Sequence, residues 1–228
     1  MSKIWTKGNV RFALIGLENQ TVQDKDMPLR IISYDGASYK AQVNQHRAAE
    51  RSKAPTEKPY PVYPVVSFVL HFGMEKWNAP KNLFDCFEVD IPEEMKPYIS
   101  NYHINVVDVP WLDDETVKLF KSDFRLVADY FVQKRKNGGD YKPPKETITH
   151  VHEFLAFLNA VSGDKRYLEI LEDPEFQENL RKGDISMCEV LDNVEKRGEE
   201  KGENKLALLM KKLLAAKRYE DADEATTD

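Results

Sequence analysis

The residues VRFALIGLE at 10–18 form a nearly continuous apolar run that ends on an acid. A run without polar alternation suits a strand covered on both faces. Beyond the polar stretch NQTVQDKD at 19–26 the rhythm changes. Leu29, Ile32, Gly36, Tyr39 and Val43 recur at intervals of 3 and 4, one face of a helix that lasts to about Glu50. Asp24 and Asp26 are its candidate caps, and Pro28 suits its first turn. Residues 51–61 are polar and hold three prolines, which makes them a loop. VYPVVSFVLHFG at 62–73 predicts a second buried strand, with Pro64 near its start. A turn at 77–80, a short amphipathic stretch at 83–87 and a third strand, HINVVDV at 103–109, follow.

From Asp113 onward the spacing is helical. Val117, Phe120, Phe124, Val127 and Phe131 mark one helix, which KNGGD at 136–140 ends. Pro143 and Pro144 start the next, carrying Ile148, Val151, Leu155 and Leu158, and others run near 165–181 and 184–198. KRGEEKGENK at 196–205 reads as a glycine-spaced charged linker. Leu206, Leu209, Leu213 and Leu214 then form the stripe of a final helix, and EDADEATTD at 220–228 has the composition of a disordered tail. The stripe suits a helix–helix contact, in cis or between subunits of a homo-oligomer, or else a solvated end. The order predicts an α/β first part at 1–110, a helical region at 111–198, and a linker, terminal helix and tail at 199–228.

Composition narrows the class. The chain has 228 residues, 41% of them hydrophobic and 32% charged, enough for a core in a soluble protein. No apolar run approaches the ~20 residues of a membrane helix, and MSKIWTKGNVRF lacks the apolar centre of a secretory signal, so a cytoplasmic location with no membrane partner is expected. Cys86 and Cys188 are isolated, as reduced thiols are. The net charge of −6 argues against nucleic-acid binding by the whole surface, but residues 1–60 hold ten Lys/Arg against six Asp/Glu. A basic half can face phosphate while an acidic half faces solvent or a partner, or the unevenness is chance.

Side chains two apart on a strand share a face. Glu18 and Gln20 therefore project together, an acid and an amide at the end of an apolar strand. A carboxylate there needs a partner or a cation, and hard cations such as Mg²⁺ take carboxylate oxygens and water. The alternative is a carboxylate that caps the helix start near residues 21–26.

Three blocks in order bear on this choice: FALIGLENQT, then MPLRIISYDGASYKAQV, then YPVVSFVLHFG with Trp77, Ala79 and Pro80. They resemble the recombination-promoting nuclease / putative transposase (YhgA-like) group of the PD-(D/E)XK nuclease superfamily. The likeness runs from about Val10 to Pro110 and more weakly through ISMCEVLDNVEKRGEEKG at 185–202. It implies a restriction-endonuclease-like mixed sheet with a flanking helix, and Mg²⁺-dependent DNA endonuclease activity that promotes recombination. It further implies Glu18 as metal ligand and catalytic residue, the Asn19 carbonyl as a further ligand, and Gln20 in place of the superfamily's lysine, orienting water or touching the scissile phosphate. The superfamily also requires an aspartate on the preceding strand, and none stands before Glu18. The chain is thus expected to lack the N-terminal part, with its edge strands missing and the strand at 10–18 poorly covered. It is then an incomplete nuclease, or a catalytically inactive DNA-binding or protein-interaction module. Asp24 or Asp26 is a weaker substitute ligand.

Gln42 and Gln45 lie on the long helix, where the resemblance implies a polar residue aimed at the site; Lys40 and Arg47 are cations available to DNA phosphate. Arg30, in the helix's first turn, is expected to pair with Glu18. His150 and His152 stand two apart on a helix and so face different ways. His71 reads as a satisfied core residue, and Trp77, Tyr102 and Trp111 as core or rim. No glycine-rich phosphate loop, nucleophile elbow or zinc spacing occurs.

Overall fold

The structure is a computed structural model that describes residues 2–7, 10–51, 62–138, 143–183 and 185–216. It divides into two compact units, Met1–Val117 with Phe131–Gly139, and Lys118–Tyr130 with Asp140–Asp228.

The first unit is built on a four-stranded sheet in the order β1 (Ser2–Lys7), β2 (Val10–Gln20), β3 (Val65–His71), β4 (Asn105–Asp108). β2, β3 and β4 run parallel; β1 pairs antiparallel with β2 along residues 10–16. The strand at 10–18 is therefore covered on its outer edge, against the expectation of a missing neighbour: SKIWTK is too short and mixed to announce itself as a strand, yet it supplies the ladder that an edge needs. Helix α1 (Met27–Arg51) is the crossover from β2 to β3, the connection that parallel strands require. The loop expected at 51–61 falls, apart from Arg51 in the helix, outside the described residues.

The buried face of α1 is not the predicted one. Met27, Ile31, Asp35 and Gln42 are buried, whereas Leu29 and Tyr39 are exposed by 41% and 39%. The stripe is rotated because two of its positions are polar residues whose partners lie beneath the helix: Asp35 meets Ser67 and Tyr102, and Gln42 meets the Tyr63 backbone. Apolar periodicity alone cannot see such a stripe. The core it covers joins Met27 and Ile31 to Val69, Trp77 and Ile104. β3 also departs from the two-sided reading: Ser67, Val69 and His71 are buried while the alternating residues are half-buried. Beyond β4, Trp111 is exposed, with the Arg135 guanidinium 4.3 Å from its ring centre.

The segment read as one helix from Val117 to Phe131 is two, α2 (Asp114–Leu119) and α3 (Phe124–Asn137). Asp123 stands at the break, and its carbonyl accepts the Leu126 and Val127 N–H groups that open α3. Its carboxylate accepts the backbone N–H groups of Thr149 and His150 at 3.0 and 2.8 Å. Helix α4 (Val151–Ser162) accordingly starts after Ile148, which instead donates its N–H to Ile185. Burial pushes the Asp123 carboxyl up, but the Thr149 and His150 donors outweigh it and hold it below the usual range. Asp123→Ala leaves two backbone donors without an acceptor, so the second unit is expected to lose about 1–3 kcal/mol, read as a lower urea midpoint; an unchanged midpoint would show that water replaces the carboxylate there.

In the second unit α4 packs on α5 (Arg166–Glu169), followed by α6 (Pro174–Lys182) and α7 (Met187–Ala215). The charged stretch expected as a linker is helix throughout. Glycine weakens a helix by about 1 kcal/mol at each position, but here neighbouring elements offset that cost. Arg197 bonds Asp173, the cap of α6, at 3.1 Å; Lys201 bonds Glu169; and a Cβ at Gly198 would sit 2.5 Å from the Arg166 guanidinium. Further along, Leu206, Leu208 and Leu209 are exposed. The tail at 220–228 lies outside the described residues.

Candidate functional site

Ladder register sets the site. Glu18 pairs with Val69, Gln20 with His71, and His71 with Asp108. Paired and alternate residues share a face, so Gln20, His71 and Asp108 form one row on the α1 side, at the carboxyl ends of three parallel strands, and Glu18 shares that face one rung back, beside Val69. In open α/β sheets that end is where ligands bind.

Glu18 and Gln20 do lie together: the Gln20 amide donates to Glu18 Oε1 at 3.1 Å. The Arg30 guanidinium donates to the same oxygen at 2.5 Å and to Asp24 at 2.6 Å, which makes the expected ion pair and adds a second carboxylate to it. The Asp24 hydrogen bond, then the Tyr34 hydroxyl, raise Arg30 far above its ordinary value. Burial pushes the Asp24 carboxyl up, but Arg30 and the Asp26 N–H more than reverse this and hold it low. A carboxyl held low in the folded state stabilises that state above its unfolded value and ceases to do so as pH falls through the folded one. Asp24, Asp123 and Asp173 are all so held. Stability is therefore expected to fall on acidification below about pH 4, read as a lower unfolding temperature; a flat profile from pH 5 to 2 would contradict it.

Glu18 Oε2 has no bond to a described residue. The Asn19 carbonyl is also turned outward. Leu14 N–H donates to Pro64 and the Gln20 carbonyl accepts from Phe72, so the even-numbered residues of β2 address β3. Asn19 addresses the other edge, where pairing with β1 ends at Gly16. One carboxylate oxygen and one carbonyl suit a hard cation that keeps most of its water. Among the described residues no group of three or more His, Cys, Asp and Glu is placed to hold a metal.

Beside Glu18 a cleft of about 320 Å³ is lined also by Gly16, Tyr34, Asp35, Ser38 and Ser67. Asp35 is 5% exposed and accepts from the Ser67 hydroxyl at 2.5 Å and from Tyr102. A Cβ on Gly16, the ladder partner of Ser67, would stand 2.5 Å from that hydroxyl, so glycine there clears its path to Asp35. Burial, then the bond to Asp35, pushes the Tyr102 phenol well up.

At the end of β3, His71 is 1% exposed. Its Nδ1 lies 2.8 Å from Asp108, which also accepts the Trp77 N–H at 3.1 Å, and its ring meets Trp77 edge-on. Gln23 ties the two flanking loops, donating to the Lys76 carbonyl at 3.2 Å and accepting from the Asn78 N–H at 2.7 Å.

A family model described as "Putative transposase, YhgA-like" matches residues 3–155, more than half of the chain. The chain belongs to this family. No curated protein and no solved structure matches it. The matched span of the YhgA-like family contains Glu18, Gln20, Arg30, Asp35, His71 and Asp108.

The other predicted residues do not converge on Glu18. Gln42 is buried, and its amide holds both the N–H and the carbonyl of Tyr63, at 2.7 and 3.1 Å, so it clamps the chain's own backbone. Lys40 and Arg47 are exposed on α1. Asp24 already serves Arg30 and the Asp26 N–H. His150 stands at the N-terminal cap of α4, 3.2 Å from Asp123. Periodicity missed Asp35; spacing from Met27 and Ile31 at four-residue steps would have found it.

Proposed function

We propose that this member of the YhgA-like family is a divalent-metal-dependent DNA phosphodiester hydrolase acting in recombination, with a restriction-endonuclease-like core of the PD-(D/E)XK type. The observation that carries the reading is the joint projection of Glu18 and Gln20 at the carboxyl end of β2, with Glu18 Oε2 and the Asn19 carbonyl left for a ligand. Glu18 and Asn19 would hold Mg²⁺ or a similar ion. When bound, such an ion polarises a phosphodiester and lowers the pKa of water. Gln20 keeps an amide beside the carboxylate, able to orient water or bond a phosphate oxygen. Arg30 fixes Glu18 in one orientation while Asp24 shares its charge. Lys40 and Arg47, solvated on α1, are the proposed contacts to DNA phosphate.

A second reading, a nuclease-like DNA-binding module without catalysis, is favoured by the ion pair with Arg30, which already offsets the charge of Glu18. Nicking of a supercoiled plasmid with and without Mg²⁺ or Mn²⁺ decides between them. Metal-dependent nicking that Glu18→Gln abolishes supports hydrolysis. Binding without nicking at any divalent metal supports the module.

A further inference from the structure

His71 and Asp108 form a pair that the reading above leaves unused. Asp108 accepts from Trp77 N–H and stands 2.8 Å from His71 Nδ1. A carboxylate in that position selects the imidazole tautomer with its proton on Nδ1, which leaves a lone pair on Nε2. The ring is otherwise enclosed: His71 is 1% exposed, and no described residue hydrogen-bonds Nε2. Nε2 does not face the interior, however. A Cβ at position 73 would lie 2.4 Å from it, so the nitrogen sits beneath Gly73, where the absent side chain leaves it in the wall of a cleft of about 410 Å³. Thr21 and Gln23, which follow Gln20 directly, line the same cleft. Gln20 and His71 are ladder partners on adjacent parallel strands, and such strands lie about 4.8 Å apart. A buried imidazole oriented by a carboxylate, with its free nitrogen on a cleft lined by the residues that follow Gln20 and its ring one rung beyond the level of Glu18, has the layout of a base and its orienting group.

We propose that His71 is the general base of this site and Asp108 its positioning residue. The proposal rests on the phosphodiester-hydrolase reading above. Water forms a new bond to phosphorus as its proton passes to His71 Nε2. The bond from phosphorus to the leaving sugar oxygen breaks, and that oxygen takes a proton from solvent. Asp108 stabilises the imidazolium, which then returns its proton to bulk water.

Two measurements test this on the full chain. In metal-free protein, ¹⁵N NMR of the imidazole should show the Nδ1–H form, and the Nε2 signal should shift on addition of a short DNA oligonucleotide in EDTA. An Nε2–H form, or oligonucleotide binding that leaves Nε2 unmoved, overturns the proposal. In the nicking assay His71→Ala should lower the rate on the order of 10²–10⁴-fold, with added imidazole restoring at least about a tenth of what was lost; a purely structural histidine would not be rescued in this way. Should His71→Ala fail to fold, Asp108→Asn, of equal size, keeps an oxygen for Trp77 N–H and Nδ1–H but removes the charge that stabilises the imidazolium, and should lower kcat while KM holds. Full nicking by either folded variant sinks the base and leaves the hydrolase reading standing. A wild-type chain inert with every divalent metal sinks both.

Discussion

Glu18→Gln is expected to lower metal-dependent nicking on the order of 10³-fold, about 4 kcal/mol of barrier, while the unfolding midpoint moves by less than about 1 kcal/mol. The asymmetry follows from the surroundings. The Glu18 and Arg30 side chains are 25% and 37% exposed, so water already screens their pair, and Arg30 keeps Asp24 when Glu18 is neutralised. Glutamine preserves the shape and an acceptor for Arg30, but not the charge that a hard cation needs. Parallel losses of stability and activity would mean that Glu18 is structural; unchanged nicking would remove it from the chemistry altogether.

The second large effect is on stability. Asp35→Ala is expected to cost the first unit about 2–4 kcal/mol, because the Ser67 hydroxyl and the Tyr102 phenol both lose a buried acceptor. Ser67→Ala alone should cost about 1 kcal/mol, since Asp35 keeps Tyr102. In the double variant the two changes should fall short of additive, as groups sharing one network do. A midpoint for Asp35→Ala within about 0.5 kcal/mol of the parent would show that water replaces the carboxylate without penalty.

The parts of the molecule legible in the sequence are those with local causes. The apolar runs at 10–18 and 62–73 become β2 and β3 because apolar, β-branched stretches fit buried parallel strands. The Glu18–Gln20 pairing follows from the two-residue repeat of a strand, and the Arg30 pair from its place in the first turn of α1. What escaped depends on partners distant in sequence. Asp35 interrupts an apolar stripe and is buried only because Ser67 and Tyr102 arrive 32 and 67 residues later. Asp123 stands where a helical pattern breaks, and its carboxylate serves residues 149 and 150, far along the chain. His71 and Asp108 meet only through the register of β3 on β4. Glycines at 198 and 202 read as a break until Arg197 and Lys201 are seen to be anchored from outside the helix.

The Gln23 side chain gives the cleft over His71 a particular mechanical character. One amide holds the loop after β2 to the loop after β3 through two bonds, one given and one received. Neither loop can swing out alone without surrendering both. The amide thus braces the rim of the cleft that His71 lines, through two bonds worth about 1 kcal/mol each.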